Sequence, residues 1–162
     1  MITTSFRNKI LRLMTAQEKK IETSGKCYLG FSTTTPNEAG GNFTEPSAAA
    51  NPSYKRVQLN INVDSSGTVM TYTNLWGEVS DGAVSNAKEI STPECREADG
   101  WGTFTHFGIF ETETGGTPIL FDLLTDPDGS PDEDGIYPAK PLTVTEGHVA
   151  TFAIGSLRLM LK

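Results

Sequence analysis

Residues 101–112 read WGTFTHFGIFET, and this stretch decides which folds suit the chain. Alternate residues of a β-strand point to opposite faces, so the odd and even positions can be compared directly. One face would carry Trp101 and Phe107, and the other would carry Phe104 and Phe110. Because neither face is polar, a strand with this sequence needs a covering layer on both sides.

The same period of two recurs on either side of this stretch. Residues 56–63, RVQLNINV, alternate strictly between polar and apolar, which is typical of a strand with one buried face. Shorter runs at 27–33, 86–92 and 119–124 are separated by turn signals rich in Gly, Pro, Asp and Ser. About eight short strands of this kind predict an all-β fold, an antiparallel β-sandwich resembling a jelly-roll.

Residues 1–20 follow a helical period instead. The apolar positions that share one helical stripe are Ile2, Phe6, Ile10, Leu13 and Met14. This spacing predicts an N-terminal amphipathic α-helix over about residues 4–19. We therefore divide the chain into a helix with its linker, residues 1–24, and a β-sandwich domain, residues 25–162.

The charge distribution excludes some classes of partner. The net charge is −7, which argues against a nucleic-acid-binding protein, because such proteins need a basic surface to contact phosphates. The first twenty residues are basic, with Arg7, Lys9, Arg12, Lys19 and Lys20 against Glu18, so the remainder is markedly acidic. No stretch is apolar and long enough to span a membrane, and no signal peptide is evident, so we expect assembly in a cytoplasm.

The sequence offers no set of residues suited to catalysis. His106 and His148 are far apart and have no nearby paired carboxylates, and Cys27 and Cys95 match no metal or redox spacing. Nucleophile-elbow, phosphate-loop and dinucleotide-binding patterns are missing as well. We therefore expect a protein that is not an enzyme and that has no organic cofactor.

One acidic loop, DPDGSPDEDG, could hold a hard cation. Its candidate ligands are Asp126, Asp128, Asp132 and Asp134. The D-x-D-G start resembles calcium loops, because Ca²⁺ prefers several carboxylate and carbonyl oxygens. The match to an EF-hand is incomplete, since Tyr137 stands where the twelfth-position Glu would be. A solvated acidic turn is the alternative.

The cover for the two-faced strand has three candidate sources: the N-terminal helix, the loop 34–53, or another protein chain. We favour the helix together with a neighbouring subunit, which predicts an assembly protein. Gly102 and Gly108 leave room for a close backbone approach on one side of the strand. The predicted assembly residues are Phe6, Ile10, Trp101, Phe104, His106 and Phe110.

The order of the motifs resembles a family of small structural proteins from tailed-bacteriophage virions, commonly tail-fibre or minor structural proteins. The phrases in order are YLGFSTTTP, TEPS, YKRVQLNI, WGTFTHFGIFET and LTVTEGHVATFAIGSLRLML. The matching residues are Tyr54 and Arg56, then Trp101, Gly102, His106 and Gly108, and finally Gly147. The resemblance covers about residues 26–162. This sequence departs from the family's pattern at two places: His148 stands where an Asp is usual, and the loop 126–135 is longer than expected.

The resemblance implies a multi-copy virion component without enzymatic activity, in a fibre, spike, collar or capsid-decorating position. We expect a homo-oligomer, most simply a trimer, that also contacts other virion proteins. The alternative is a carbohydrate- or receptor-binding module, supported by Ca²⁺, that attaches to a host surface glycan. Aromatic side chains for such a platform would be Tyr54, Tyr72, Trp76 and Trp101.

Overall fold

A computed structural model describes residues 1–15, 27–59, 62–63, 69–71, 75–80, 83–126, 128–133 and 136–160. It contains one helix, α1, over Thr4–Met14, and twelve strands. The strands are β1 Tyr28–Ser32, β2 Val57–Gln58, β3 Asn62–Val63, β4 Val69–Thr71, β5 Ala83–Ser85, β6 Ile90–Ser91, β7 Gly102–Phe104, β8 His106–Phe110, β9 Leu120–Leu123, β10 Leu142–Val144, β11 Thr151–Phe152 and β12 Arg158–Met160. All pairings between them are antiparallel, so the predicted all-β class with an N-terminal helix is confirmed.

The centre of the fold is a four-stranded sheet in the order β2-β1-β8-β9. The two inner strands, β1 and β8, are paired along their full length, with Gly30 opposite Gly108. Every residue of both strands is buried. The sequence 101–112 is divided into two strands: His106–Phe110 forms β8, which is enclosed on both faces as its apolar pattern requires, whereas Gly102–Phe104 forms β7, in which Gly102 and Thr103 are exposed.

A long antiparallel ribbon forms the second part of the fold. Its three sections pair β5 with β12, β6 with β11 and β7 with β10. Backbone hydrogen bonds continue the pairing between sections, from Cys95 N to the His148 carbonyl and from Trp101 N to the Val144 carbonyl, each 2.9 Å. Residues 83–104 therefore run beside residues 142–160 as one interrupted ribbon.

Thr105 is the residue at which the chain passes from the ribbon into the central sheet. It separates β7 from β8. Its amide donates to the Ser32 carbonyl and its carbonyl accepts from the Leu124 amide, each at 2.9 Å. Strands that switch sheets at a bend form the corners of β-sandwiches, so this arrangement is consistent with the predicted sandwich.

The main core lies on one face of the central sheet, against the ribbon. Leu29 and Phe31 of β1 and Ile109 of β8 contribute from the sheet, and Ile90 and Phe104 contribute from the ribbon. The rings of Phe31 and Phe104 lie 5.3 Å apart. Large side chains from both layers therefore bury one continuous apolar cluster, which is the dominant stabilising contribution in a fold of this kind.

Some element boundaries differ from the sequence prediction. The helix ends at Met14 rather than at residue 19, and residues 16–26, which contain the predicted domain boundary, lie outside the described residues. The strand predicted over 56–63 is divided into β2 and β3, with Asn60 and Ile61 outside the described residues. The register of β3 shifts against β4 between Asn62 and Val63, an irregularity that a strict alternation does not reveal.

Asn86 holds the turn that precedes β12. Its side chain is 1% exposed, and its Oδ1 accepts from the Leu157 amide at 2.9 Å. Its Nδ2 donates to the Lys88 and Ala153 carbonyls, both at 2.8 Å. One buried amide therefore satisfies three backbone groups.

Replacing Asn86 by alanine is expected to lower the free energy of unfolding by about 2–3 kcal/mol, because buried backbone groups lose their partners. Urea unfolding monitored by circular dichroism measures this loss. The matched control is Asn8→Ala on the exposed surface of α1, for which we expect a change within about 0.5 kcal/mol. Equal losses in the two variants would contradict the role assigned to Asn86.

Candidate functional site

The second face of the central sheet is covered by the loop 34–53. The opposed glycines Gly30 and Gly108 leave a furrow in this face. A Cβ on Gly108 would lie 2.7 Å from the Phe43 ring, and one on Gly30 would lie 2.6 Å from Oε1 of Glu45. The loop, one of the three candidate sources, thus covers β8 at Gly108, and it does so with the Phe43 side chain rather than with the close backbone approach that the sequence predicts.

Gly102 has a different role from the one its sequence position indicates. It adopts a φ of +88°, which favours glycine. A Cβ at this position would meet only the Thr33 methyl group, at 3.9 Å. Backbone conformation, not close packing, therefore accounts for this glycine.

Arg56 ties the covering loop to the sheet. Its side chain is 3% exposed and lies over Phe110, with Cζ 3.3 Å from the ring centroid. Its Nη2 is 2.5 Å from Oε2 of Glu45 in the loop, and its Nε donates to the same carboxylate. Its Nη1 donates to the carbonyls of Thr112 and Gly115, at 2.9 and 2.8 Å. One guanidinium therefore joins the loop, the β2 edge and the hairpin after β8.

Tyr54 extends this network into the core. Its hydroxyl donates to Oε1 of Glu45 at 2.9 Å and accepts from the Phe31 amide at 3.0 Å. Burial raises the pKa of the phenol. Its ring packs edge-on against Trp101, with centroids 5.3 Å apart. Of the four aromatic residues predicted for a sugar platform, Trp101 is buried, Tyr54 and Trp76 are half-buried, and Tyr72 lies outside the described residues.

Glu97 organises the other side of Trp101. Its Oε2 accepts from the Trp101 Nε1 at 2.8 Å and from the Ser53 hydroxyl, and its Oε1 accepts from the Ser53 amide at 2.9 Å. The hydrogen bond from the Ser53 side chain, together with the other donors, lowers the pKa of Glu97 to about 2. The ionised carboxylate is therefore the form that matches this site.

The stabilising contribution of Glu97 is expected to depend on pH. Because its pKa is lower in the folded chain, the contribution is present above its ordinary pKa of 4.5 and is lost as the pH falls towards 2. Urea midpoints across this range should fall more steeply for the unsubstituted protein than for Glu97→Gln. The control is the exposed Glu94→Gln, which should keep the steep profile. Parallel profiles for all three proteins would contradict the assignment.

The six predicted assembly residues fall into two groups. Trp101, Phe104, His106 and Phe110 are buried within the single chain, with exposed fractions of 4%, 0%, 9% and 1%. Burial lowers the pKa of the His106 imidazole. These four side chains already pack against residues of their own chain, and a role for them in an interface stays a prediction. Phe6 and Ile10 belong to α1, where both are half-buried.

The helix α1 is fixed at its base, and its described side chains beyond the base are half-buried or exposed. Ile2 pairs with Leu120 of β9, and the amides of Thr3 and Thr4 donate to the carbonyls of Ile119 and Glu38, each at 3.1 Å. Beyond this base, none of the α1 side chains whose placement is described is buried.

The outer part of α1 is both apolar and basic. Leu11 and Met14 are 55% and 76% exposed. Lys9 reaches Oε2 of Glu111 at 3.8 Å, and the helix contains no acidic residue. Within the described part of the chain, no helix has the length and apolarity that crossing a bilayer requires.

The acidic loop does not form a metal centre among the described residues. The Asp126 carboxylate is 2.9 Å from Lys140 Nζ, and this hydrogen bond lowers the pKa of Asp126. Oδ1 of Asp132 accepts from the Ile136 amide at 2.8 Å. No group of three or more His, Cys, Asp or Glu side chains suited to a metal ion occurs among the residues described, and Asp134 lies outside them.

Comparison with known families defines the class of protein. The match is to bacteriophage fibre proteins, which are structural components of the virion. The family model is described as podophage GP4 fiber I protein gp80 and matches residues 1–160, so the chain belongs to this family. The resemblance inferred from the sequence is confirmed, and the family implies location in the virion and association with other virion proteins. No curated protein matches the chain.

Proposed function

We propose that this chain is a non-enzymatic fibre subunit that assembles as a homotrimer and uses α1 as its joining element. One observation supports the proposal above others. The β-rich body covers its two-faced strand with its own loop, whereas α1 presents apolar side chains, including Leu11 and Met14, to solvent. The helix therefore carries apolar surface that a partner could cover.

The energetics of a short helix support the same proposal. The helix has 11 residues, and isolated helices of this length are marginal in water. Packing its apolar side against another surface would contribute about 25 cal/mol per Å² of buried apolar area, before the costs of association. Phe6 and Ile10 lie on that side and are only half-buried in the single chain.

A pair of matched variants tests this role. Phe6→Asp with Ile10→Asp should dissociate the oligomer, as measured by multi-angle light scattering. The control is Ser5→Gln with Asn8→Gln, which changes two exposed positions of the helix without changing its charge and should leave the mass unchanged. A full-length protein that is monomeric at all concentrations, or an oligomer that survives the Phe6 and Ile10 substitutions, would overturn the proposal.

Host glycan binding, supported by Ca²⁺, is the second proposal, and it rests on a smaller basis. Trp76 is half-buried and Tyr137 is 40% exposed, so aromatic surface is present away from the Tyr54 and Trp101 pair. A glycan array, together with a melting temperature that rises on addition of Ca²⁺, would support it. If the protein binds no glycan on the array and its melting temperature does not change on addition of Ca²⁺, this second proposal is contradicted.

A further inference from the structure

The charge of the chain is divided between two separate parts of the molecule. Residues 1–15 carry Arg7, Lys9 and Arg12 and no acidic residue, a formal charge of +3. The whole chain carries −7, so the residues that follow carry −10. Arg7 is exposed and forms no ion pair with the residues that the structure describes. A basic helix is therefore attached to an acidic body.

The loop 126–140 combines negative charge with exposed apolar surface. It contains five acidic residues and one lysine, and that lysine, Lys140, is paired with Asp126. Asp128 and Glu133 are exposed. Ile136 and Tyr137 are 52% and 40% exposed. The apolar side chains on this loop are the independent feature that distinguishes it from a merely solvated acidic turn.

The helix and the loop 126–140 lie at opposite ends of the central sheet. Residues 1–3 run antiparallel to β9, with Met1 beside Phe121 and Thr3 beside Ile119. The helix α1 begins directly after this segment, at Thr4. The contact between Lys9 and Glu111 places the helix near the end of β8 at Phe110. The acidic loop begins after Leu124, at the other end, roughly 15 Å away at the usual rise per strand residue. This separation suits a contact between two copies better than a contact within one.

We infer that α1 of one copy docks on the loop 126–140 of a second copy of this chain. Leu11 and Met14 would pack near Ile136 and Tyr137, while Arg7 would face the acidic side chains of the loop. This inference rests on the proposed function, because it names the surface that receives the joining helix.

Symmetry and charge both favour this contact over one between two helices. Two α1 helices packed together would place +3 against +3, which is unfavourable. A cyclic trimer needs a heterologous interface, in which two different surfaces of each chain meet. The basic helix and the acidic loop provide two such surfaces.

Charge-reversal variants of the full-length chain test the inference by sedimentation at low and high salt. Arg7→Glu alone, and Asp128→Arg with Glu133→Arg alone, should each weaken association by about tenfold or more. Combining all three should restore part of the association, because position 7 and positions 128 and 133 again carry opposite charges, while Lys9 and Arg12 keep their original sign. The control, Glu94→Arg with Asp99→Arg, makes the same change in net charge at exposed positions outside the loop and should have no such effect. Thermal unfolding verifies that each variant folds.

The outcomes separate this inference from the proposed function. Restoration by the combined variant, together with weakening of association at high salt, supports the helix-to-loop contact. If the loop variant associates normally while Phe6→Asp with Ile10→Asp dissociates, the inference is overturned and the proposed function stands. If the loop variant and its control weaken association equally, net charge alone is responsible and the inference is overturned. A full-length chain that never associates overturns both.

Discussion

Replacing Arg56 by alanine is expected to lower the free energy of unfolding by about 3–5 kcal/mol, the usual loss when one partner of a buried ion pair is removed. The substitution leaves the Glu45 carboxylate without its cation, beside the sheet. It also removes the donors to the carbonyls of Thr112 and Gly115 and the guanidinium that lies over Phe110. The covering loop then loses its main attachment to the furrow.

Equilibrium urea unfolding of Arg56→Ala, followed by circular dichroism, measures the expected loss. Arg96→Ala is the matched control, because its side chain is exposed, and it should change stability by less than about 0.5 kcal/mol. Arg56→Lys should recover only part of the loss, since an ammonium group cannot reproduce the fork of donors. Stability of Arg56→Ala equal to that of the control would refute the role of Arg56 in holding the loop.

Replacing Phe104 by alanine is expected to lower the free energy of unfolding by about 3–5 kcal/mol, because it opens a cavity in the core. The Phe104 side chain is 0% exposed. Its ring lies 5.3 Å from that of Phe31 and 6.1 Å from that of Tyr54, where the ribbon meets the central sheet. Few neighbouring groups can close such a cavity without a shift of the backbone.

The dependence on protein concentration separates a core role from an interface role. If Phe104 acts in the core, the loss in Phe104→Ala should be the same at every protein concentration. Phe6→Ala is the comparison, because Phe6 is half-buried on α1, and its effect should grow where the oligomer is populated. A concentration-dependent loss in Phe104→Ala would instead assign this residue to an interface between chains.

The sequence predicts most elements of the fold because its apolar patterns are local. The period of two at 27–33 corresponds to β1, the apolar run 119–124 corresponds to β9, and the apolar stripe after residue 2 corresponds to α1. The two apolar faces of 101–112 correctly predict that β8 is enclosed on both sides. Each of these inferences depends on residues close together in the chain.

The cover of β8 could not be predicted, because it depends on contacts between distant segments. An apolar face has the same sequence pattern whether a loop, a helix or another subunit packs on it. Phe43 and Glu45 lie in a segment whose Gly, Pro and Ala content indicates only a loop. The interior glycine Gly108 was the available signal, since a strand glycine marks a close approach without naming the approaching group.

The polar residues that organise the structure were also hidden in the sequence. Arg56 occurs in the alternating run 56–63, where its polar character predicts exposure, yet its side chain is buried under the loop. Asn86 matches no motif, because it bonds to backbone groups that any residue provides, and Glu97 matches none because its partners Ser53 and Trp101 are distant or unremarkable in the sequence. Charge asymmetry, in contrast, was visible from composition, and it is the feature that the proposed helix-to-loop contact uses.

The pairing of residues 1–3 with β9 fixes the order in which a nascent chain can complete its fold. The side-chain bond from Thr3 to the Ile119 carbonyl joins residues separated by 116 positions. During synthesis, residues 1–3 therefore have no strand to pair with until β9 has been translated. Because closing a loop of this length is slow, the helix gains its fixed base only after β9 has formed. We expect a fragment that stops before Ile119 to lack a seated α1.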